Sequence, residues 1–175
     1  MIKLPPGIKI DEVPIDARYR GVLRGLQTRI KKLYDAIYQR FGEDGLELIR
    51  EVSADYGDEI ARRALKAEKY WDIKKVGLYL VKIFNNMRSE GEVIEFNDMR
   101  IAIMVPRCPY PFENVDICAA HTSMERALVK GLNPALEYRI EASVPAGDAH
   151  CLHVLISTKS GANESSSSTQ MRSDQ

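Results

Sequence analysis

The stretch EVIEFNDMRIAIMV, residues 92–105, decides the fold class of this chain. Two runs rich in apolar and β-branched residues flank Asn97-Asp98, and a polar pair between two such runs favours a β-hairpin. Helical spacing dominates the region before residue 92, whereas the region after residue 105 alternates between strand patterns and one helix. The hairpin therefore marks the change from a helical half to a sheet-forming half.

Upstream of the hairpin, apolar residues recur at steps of three and four, the period of helices that bury one face. This spacing predicts a first helix from Ala17 to Phe41, with Asp16 as its N-cap. It predicts a second helix over residues 46–67, kinked or split at Gly57, and a third that Asp72 caps. The N-terminal half is therefore expected to be a block of three helices.

Downstream of the hairpin, a proline-rich loop over residues 106–114 carries Cys108. A helix is expected over about 115–132, followed by strands near 137–144 and 150–158 that a short turn joins. This order predicts an α+β fold, in which the N-terminal helical block packs on an antiparallel sheet of about four strands with one inserted helix.

The ends of the chain and its composition complete the domain prediction. Residues 1–15 are proline-rich and are expected to form an extended arm, residues 16–158 a single α+β domain, and the serine-rich residues 159–175 a disordered tail. The balance of 25 basic and 25 acidic residues argues against a nucleic-acid partner. Without a secretory signal or a membrane-spanning run, a cytoplasmic location and no membrane partner are expected.

Three reactive side chains follow one face of the inserted helix. Cys118, His121 and Glu125 are spaced three and four residues apart, so that they share a stripe. Each residue taken alone has an ordinary structural interpretation, because cysteines pack in cores and helical glutamates face solvent. Together, the Cys-x-x-His spacing indicates half of a metal site.

A second cluster lies on the last two strands. Alternation places Cys151 and His153 on one face of their strand, and Glu141 joins that face only if the strand register allows it. Thiolate, imidazole and carboxylate donors together suit zinc, so the predicted ligands are Cys118, His121, Glu141 and Cys151. An iron–sulfur cluster and a site without metal are the alternatives.

These residues carry a resemblance to known families. The pattern of Cys118, Glu141, a Gly-Asp turn and Cys151 resembles the 4-vinyl reductase domains, a group that includes the sensory domains of phenol-responsive bacterial activators. The resemblance implies zinc held by a helix cysteine, a strand glutamate and cysteines around the turn. A further family cysteine would fall near Val144, and His121 or His153 is the expected replacement.

The layout of residues 20–157 is similar to the L-2-amino-thiazoline-4-carboxylic acid hydrolase family. The motifs that carry this resemblance are RCPYP (107–111), CAAHTSMERAL (118–128) and the segment from Leu132 to Ile156. The resemblance implies a hydrolase that opens a small thiazoline ring with water.

The first functional hypothesis is therefore a metal-dependent hydrolase that acts on a C–N bond in a small ring. Glu125 and His153 are its candidate acid–base residues, and Arg107 and Arg139 are candidates for holding a substrate carboxylate. The alternative is a non-catalytic domain that binds a small ligand and has a structural zinc site. A third hypothesis is a homodimer formed through the long helix from Ala17.

Overall fold

The computed structural model describes residues 13–158. The elements in chain order are α1 (Ile15–Phe41), α2 (Glu43–Ala67), α3 (Ile73–Asn86), β1 (Glu92–Phe96), β2 (Arg100–Val105), α4 (Val115–His121), α5 (Ser123–Leu132), β3 (Leu136–Ala142) and β4 (Cys151–Ser157), with a short 3-10 turn at Val144–Ala146. This order confirms the predicted α+β fold. The predicted tail, and all but the last residues of the predicted arm, lie outside the described residues.

The four strands form one antiparallel sheet in the order β1-β2-β4-β3. The first and second strands form the hairpin that the opening stretch predicts, and β4 inserts beside β2 so that β3 lies at an edge. The inner face of the sheet packs against helices and contributes Ile101, Ile103, Cys151 and Leu155 to the main core. Alternation along each strand sends the intervening side chains to the outer face.

The second helix is continuous through Gly57, so the predicted split does not occur. A Cβ atom at this position would lie 2.2 Å from the carbonyl oxygen of Met124. Because no such contact is sterically tolerated, only glycine lets α2 approach the backbone of α5 this closely. Gly57 therefore serves the close packing of α2 on α5.

Two further helix predictions require correction. The first helix begins at Ile15 with Pro14 at its N-cap, and Asp16 lies within the first turn. The single helix expected over residues 115–132 is interrupted at Thr122, which ends α4 and precedes α5. The Thr122 hydroxyl donates to the carbonyl of Ala119 at 3.1 Å, a local side-chain bond of the kind that competes with regular helix geometry.

The start of α4 is well determined by its sequence. The side chain of Asn114 accepts from the backbone amides of Asp116 and Ile117 at 2.7 and 3.1 Å. This N-cap satisfies two of the amides that lack a partner at a helix start. It fixes where the stripe of Cys118 and His121 faces.

Within residues 13–158, no helix is both long and apolar enough to cross a membrane.

Candidate functional site

A cavity of about 500 Å³ lies between the helical block and the inner face of the sheet. Its walls come from α2, α3, the loop after β2, α4, α5 and the strands β2, β3 and β4. Apolar and aromatic side chains supply most of the lining, among them Tyr56, Ile60, Tyr79, Ile83, Phe84, Tyr110, Phe112 and Ile140. This size and character are those of a small-molecule site in proteins.

Five of the predicted site residues line this cavity together. Cys118 and His121 enter from α4, Glu125 from α5, and Cys151 and His153 from β4. Cys108, on the loop after β2, is a sixth reactive side chain in the same wall. The structure thus brings the helix stripe and the last strand to one space, despite the interruption at Thr122.

His121 lies among aromatic rings. The ring centres of Tyr110 and Phe112 are 4.5 and 5.2 Å from its own, both edge-on, and that of Tyr34 is 5.8 Å away. Burial lowers the pKa of His121 to about 4, so the imidazole is neutral at pH 7. Its Nδ1 atom is buried and has no hydrogen-bond partner among the described residues.

Glu125 is the buried carboxyl group of the cavity, and only 7% of the residue is exposed. Burial raises the pKa of Glu125 to about 7, because a low-polarity environment disfavours the charged form. Its Oε2 atom has no partner within residues 13–158. A carboxyl group with this pKa is available as a donor or as an acceptor near neutral pH.

His153 is held by a tyrosine on the neighbouring strand. The hydroxyl oxygen of Tyr138 lies 2.5 Å from Nδ1 of His153, and the ring of Phe84 packs 4.9 Å from the imidazole centre. Burial lowers the pKa of His153 to about 4 and raises that of Tyr138 well above 10. The pair is therefore neutral, and we expect the phenol to donate to an unprotonated Nδ1.

Two cysteines of the cavity, Cys108 and Cys118, are thiols and not thiolates at neutral pH. Burial raises the pKa of Cys108 to about 12 and that of Cys118 to about 11. The backbone amide of Val144 donates to the sulfur of Cys151 at 3.5 Å. A buried thiol with a raised pKa is a weak nucleophile, so the arrangement favours packing over covalent catalysis by these side chains.

Three predicted residues do not reach the cavity. Glu141 accepts a hydrogen bond of 2.5 Å from Arg100. Arg100 points to the outer face of the sheet, since Ile101 and Ile103 on the same strand are buried on the inner face. Arg139 pairs with Glu137 at 2.6 and 2.7 Å. The side chains of Arg139 and Glu141 therefore point to the outer face of β3. The bulge between Ile140 and Ala142 does not turn Glu141 to the inner face.

Arg107 is exposed on the loop after β2 and is not part of the cavity wall. The two arginines predicted to hold a substrate carboxylate therefore lie away from the cavity. Among residues 13–158, no group of three or more His, Cys, Asp and Glu side chains is close enough to hold a metal ion. As placed, the residues do not fit the predicted four-ligand zinc site, because its carboxylate lies on the other face of the sheet.

Sequence reasoning missed most of the apolar wall. Tyr79, Ile83 and Phe84 of α3 follow an ordinary helical spacing, which gives no sign that they border a cavity instead of packing solidly. The prolines around Tyr110 and Phe112 were the available signal, because they mark an irregular loop beside a cysteine. That loop does form part of the cavity wall.

Comparisons with known proteins are sparse. No family model matches the chain, and no curated protein matches it. Among solved structures, the chain is similar to a crystal structure of the phenol-responsive sensory domain of the transcription activator PoxR with phenol. That match has a TM-score of 0.45 and 15% sequence identity, and it covers 77% of this chain and 74% of the other.

Proposed function

We propose that this protein binds a small, largely apolar molecule in the cavity between its helices and its sheet. The observation that carries this proposal is a cavity of about 500 Å³ with mostly apolar walls. His121 and Glu125 belong to these walls, and each has a buried polar atom without a partner among the described residues, Nδ1 and Oε2 respectively. Ligand sites in proteins commonly combine such walls with a few polar groups that orient the ligand.

The two polar atoms define the expected binding mode. An unpaired buried polar atom costs about 1–3 kcal/mol, so a ligand group that pairs with it gains affinity by removing that cost. His121 and Glu125 are four residues apart, and both line the cavity. We expect the polar group of the ligand at these two side chains, with its apolar body against Ile83, Phe84 and Ile140.

Binding is tested by calorimetric titration of the purified protein with small aromatic probes of matched shape. Benzyl alcohol, benzylamine, benzamide and toluene differ in the polar group and share the ring. The expected result is saturable binding of at least one polar probe, with weaker binding of toluene. Heats no larger than buffer mixing for all four probes would count against the proposal.

A matched pair of variants on α3 locates the binding. Ile83→Trp fills the cavity from a lining position, whereas Leu78→Trp places the same side chain at a position that is 59% exposed and outside the cavity wall. The first variant should abolish probe binding and the second should retain it. Equal affinity of both variants would place the probe elsewhere.

Metal-dependent opening of a small ring is the second candidate. Its support is the family resemblance together with the shared position of Glu125 and His153, the candidate acid–base pair, in the cavity wall. The predicted ligand set is not assembled, because Glu141 lies on the outer face of the sheet, where Arg100 binds it. Metal analysis of the wild type and of Cys118→Ala tests it: one zinc per chain in the wild type, lost in the variant, would support this candidate.

A further inference from the structure

The helical hairpin of α1 and α2 exposes an apolar face. Leu33 on α1 and Val52 on α2 are 55% and 56% exposed. Val22 and Leu26 extend the row along α1, and Leu48 extends it along α2, each about half exposed. Contiguous exposed apolar surface of this kind marks interaction sites.

Leu33, Leu48 and Val52 lie near the line where the two helices touch, and Val22 and Leu26 continue the row along α1 at helical spacing. A Cβ atom at Gly45 would lie 2.8 Å from the carbonyl oxygen of Ile37, which places these residues at the seam of the hairpin. Leu33 lies one turn before Ile37, and Leu48 lies one turn after Gly45, so each row runs beside the seam. We call the surface formed by Val22, Leu26, Leu33, Leu48 and Val52 the hairpin face.

The charges at the two edges of the hairpin face have opposite signs. Seven basic and two acidic residues lie within α1, whereas seven acidic and four basic residues lie within α2. Arg18, Arg29 and Arg40 are 11 residues apart, about three helical turns, and line the α1 edge. Asp44, Glu51 and Asp55 line the α2 edge at helical spacing.

These edge charges have no ion-pair partner in the described part of the chain. The six side chains are exposed, and none forms a salt bridge within residues 13–158. In contrast, other charges on the same helices are paired, such as Lys31 with Asp35 and Arg50 with Glu47. A partner that covers the hairpin face must therefore bring an acidic edge to α1 and a basic edge to α2.

A second copy of this chain meets both requirements at once. We propose that two chains associate through their hairpin faces in a twofold arrangement, with α1 of each packed on α2 of the other. In a twofold interface the same patch serves both partners, so each basic edge meets an acidic edge. The opposite pairing, α1 on α1, would place the arginine rows together.

Charge reversal at the two edges tests this arrangement. Variant one carries Arg18→Glu, Arg29→Glu and Arg40→Glu, and variant two carries Asp44→Lys, Glu51→Lys and Asp55→Lys. The wild type should sediment as a dimer at low salt. Each variant alone should have a dissociation constant raised by about tenfold or more, since like charges would then face each other.

The decisive experiment mixes the two variants. On one side of the axis the acidic α1 of variant one then faces the basic α2 of variant two, and on the other side the unchanged acidic α2 of variant one faces the unchanged basic α1 of variant two. An equimolar mixture should therefore recover dimerisation of wild-type strength as a heterodimer. Circular dichroism checks that each variant is folded. The double variant Leu33→Glu with Val52→Glu is the control for the apolar contact, and both positions lie outside the cavity wall. This control should be monomeric even when it is mixed with the wild type.

A wild type that sediments as a monomer at every concentration would overturn the proposal. A wild-type dimer that neither charge reversal nor the apolar control weakens would do so as well, because its interface would lie elsewhere. A mixture that stays monomeric would exclude the α1-on-α2 pairing and overturn the proposed arrangement.

Discussion

The hydroxyl of Tyr138 and Nδ1 of His153 lie 2.5 Å apart on the inner face of the β3–β4 pair, at the wall of the cavity. Tyr138 is buried and stands diagonally across the ladder from His153, since Ile140 is the direct partner of the histidine. The bond therefore joins a buried phenol to a half-buried neutral imidazole and fixes the orientation of an imidazole that faces the candidate site.

Replacement of Tyr138 by phenylalanine should destabilise the protein. The variant keeps the ring but leaves Nδ1 of His153 without its donor, which costs about 1–3 kcal/mol in the free energy of unfolding. Urea denaturation measures this loss. Tyr70→Phe, at a residue that is 68% exposed, is the matched control and should change stability by less than about 0.5 kcal/mol.

The same bond predicts the tautomer of His153. With Tyr138 as donor, the ring proton is on Nε2. Nitrogen-15 NMR of labelled imidazoles should show a neutral His153 with this tautomer in the wild type and a mixture of tautomers in Tyr138→Phe. A protonated Nδ1 in the wild type at pH 7 would contradict the assignment of donor and acceptor.

Glu125 should make stability depend on pH near neutrality. Its pKa is raised from 4.5 to about 7 in the folded state, so the folded protein binds the proton more tightly than the unfolded chain. The contribution of Glu125 to the free energy of unfolding is therefore complete below pH 4.5 and falls as the pH rises toward 7. The shift corresponds to about 3 kcal/mol, and Glu125→Gln should remove most of this fall.

The two histidines of the cavity make the stability of the protein depend on pH in the opposite direction. Their pKa values fall from 6.5 to about 4, so His121 and His153 stabilise the folded state above pH 6.5 and lose this contribution as the pH falls toward 4. The difference between the wild type and Glu125→Gln, measured at each pH, cancels the histidine contribution. A difference that stays constant from pH 4.5 to 8 would contradict the burial of an unpaired Glu125.

Gly57 provides a test of the packing between α2 and α5 that positions Glu125. Gly57→Ala should lower the free energy of unfolding by about 1–3 kcal/mol, because the added Cβ would collide with the carbonyl of Met124. Gly25→Ala in α1 is the control, since a Cβ there meets no atom within 4 Å. That substitution should stabilise the helix by about 0.5–1 kcal/mol. Thermal denaturation of both variants distinguishes packing from helix propensity.

Local sequence patterns were sufficient to predict the fold class and part of the site. The period of the helices, the Asn97-Asp98 hairpin and the order of elements led to the α+β arrangement that the structure has. The stripe of Cys118, His121 and Glu125 also faces one space, because three- and four-residue spacing fixes a helix face without knowledge of distant contacts.

The remainder depends on contacts between distant segments. Whether Glu141 shares a face with Cys151 is set by the pairing of β3 with β4 and by a bulge, neither of which local sequence determines. The cavity wall on α3 is likewise invisible from spacing, because Ile83 would have the same pattern if it were packed solidly. The structure therefore places Cys118, His121, Cys151 and His153 in one cavity wall, whereas Glu141, whose face the sequence left open, lies with Arg139 on the outer face of the sheet.

Occupancy of the cavity by a small molecule is the central claim, and methyl NMR tests it most directly. Ile60, Ile83 and Ile140 line the cavity, whereas Ile15 and Ile94 are exposed elsewhere. Titration of isoleucine-labelled protein with benzyl alcohol or benzylamine should shift the first three methyl signals saturably and leave the other two unchanged. Unchanged cavity methyls up to the solubility limit of both probes would contradict the account.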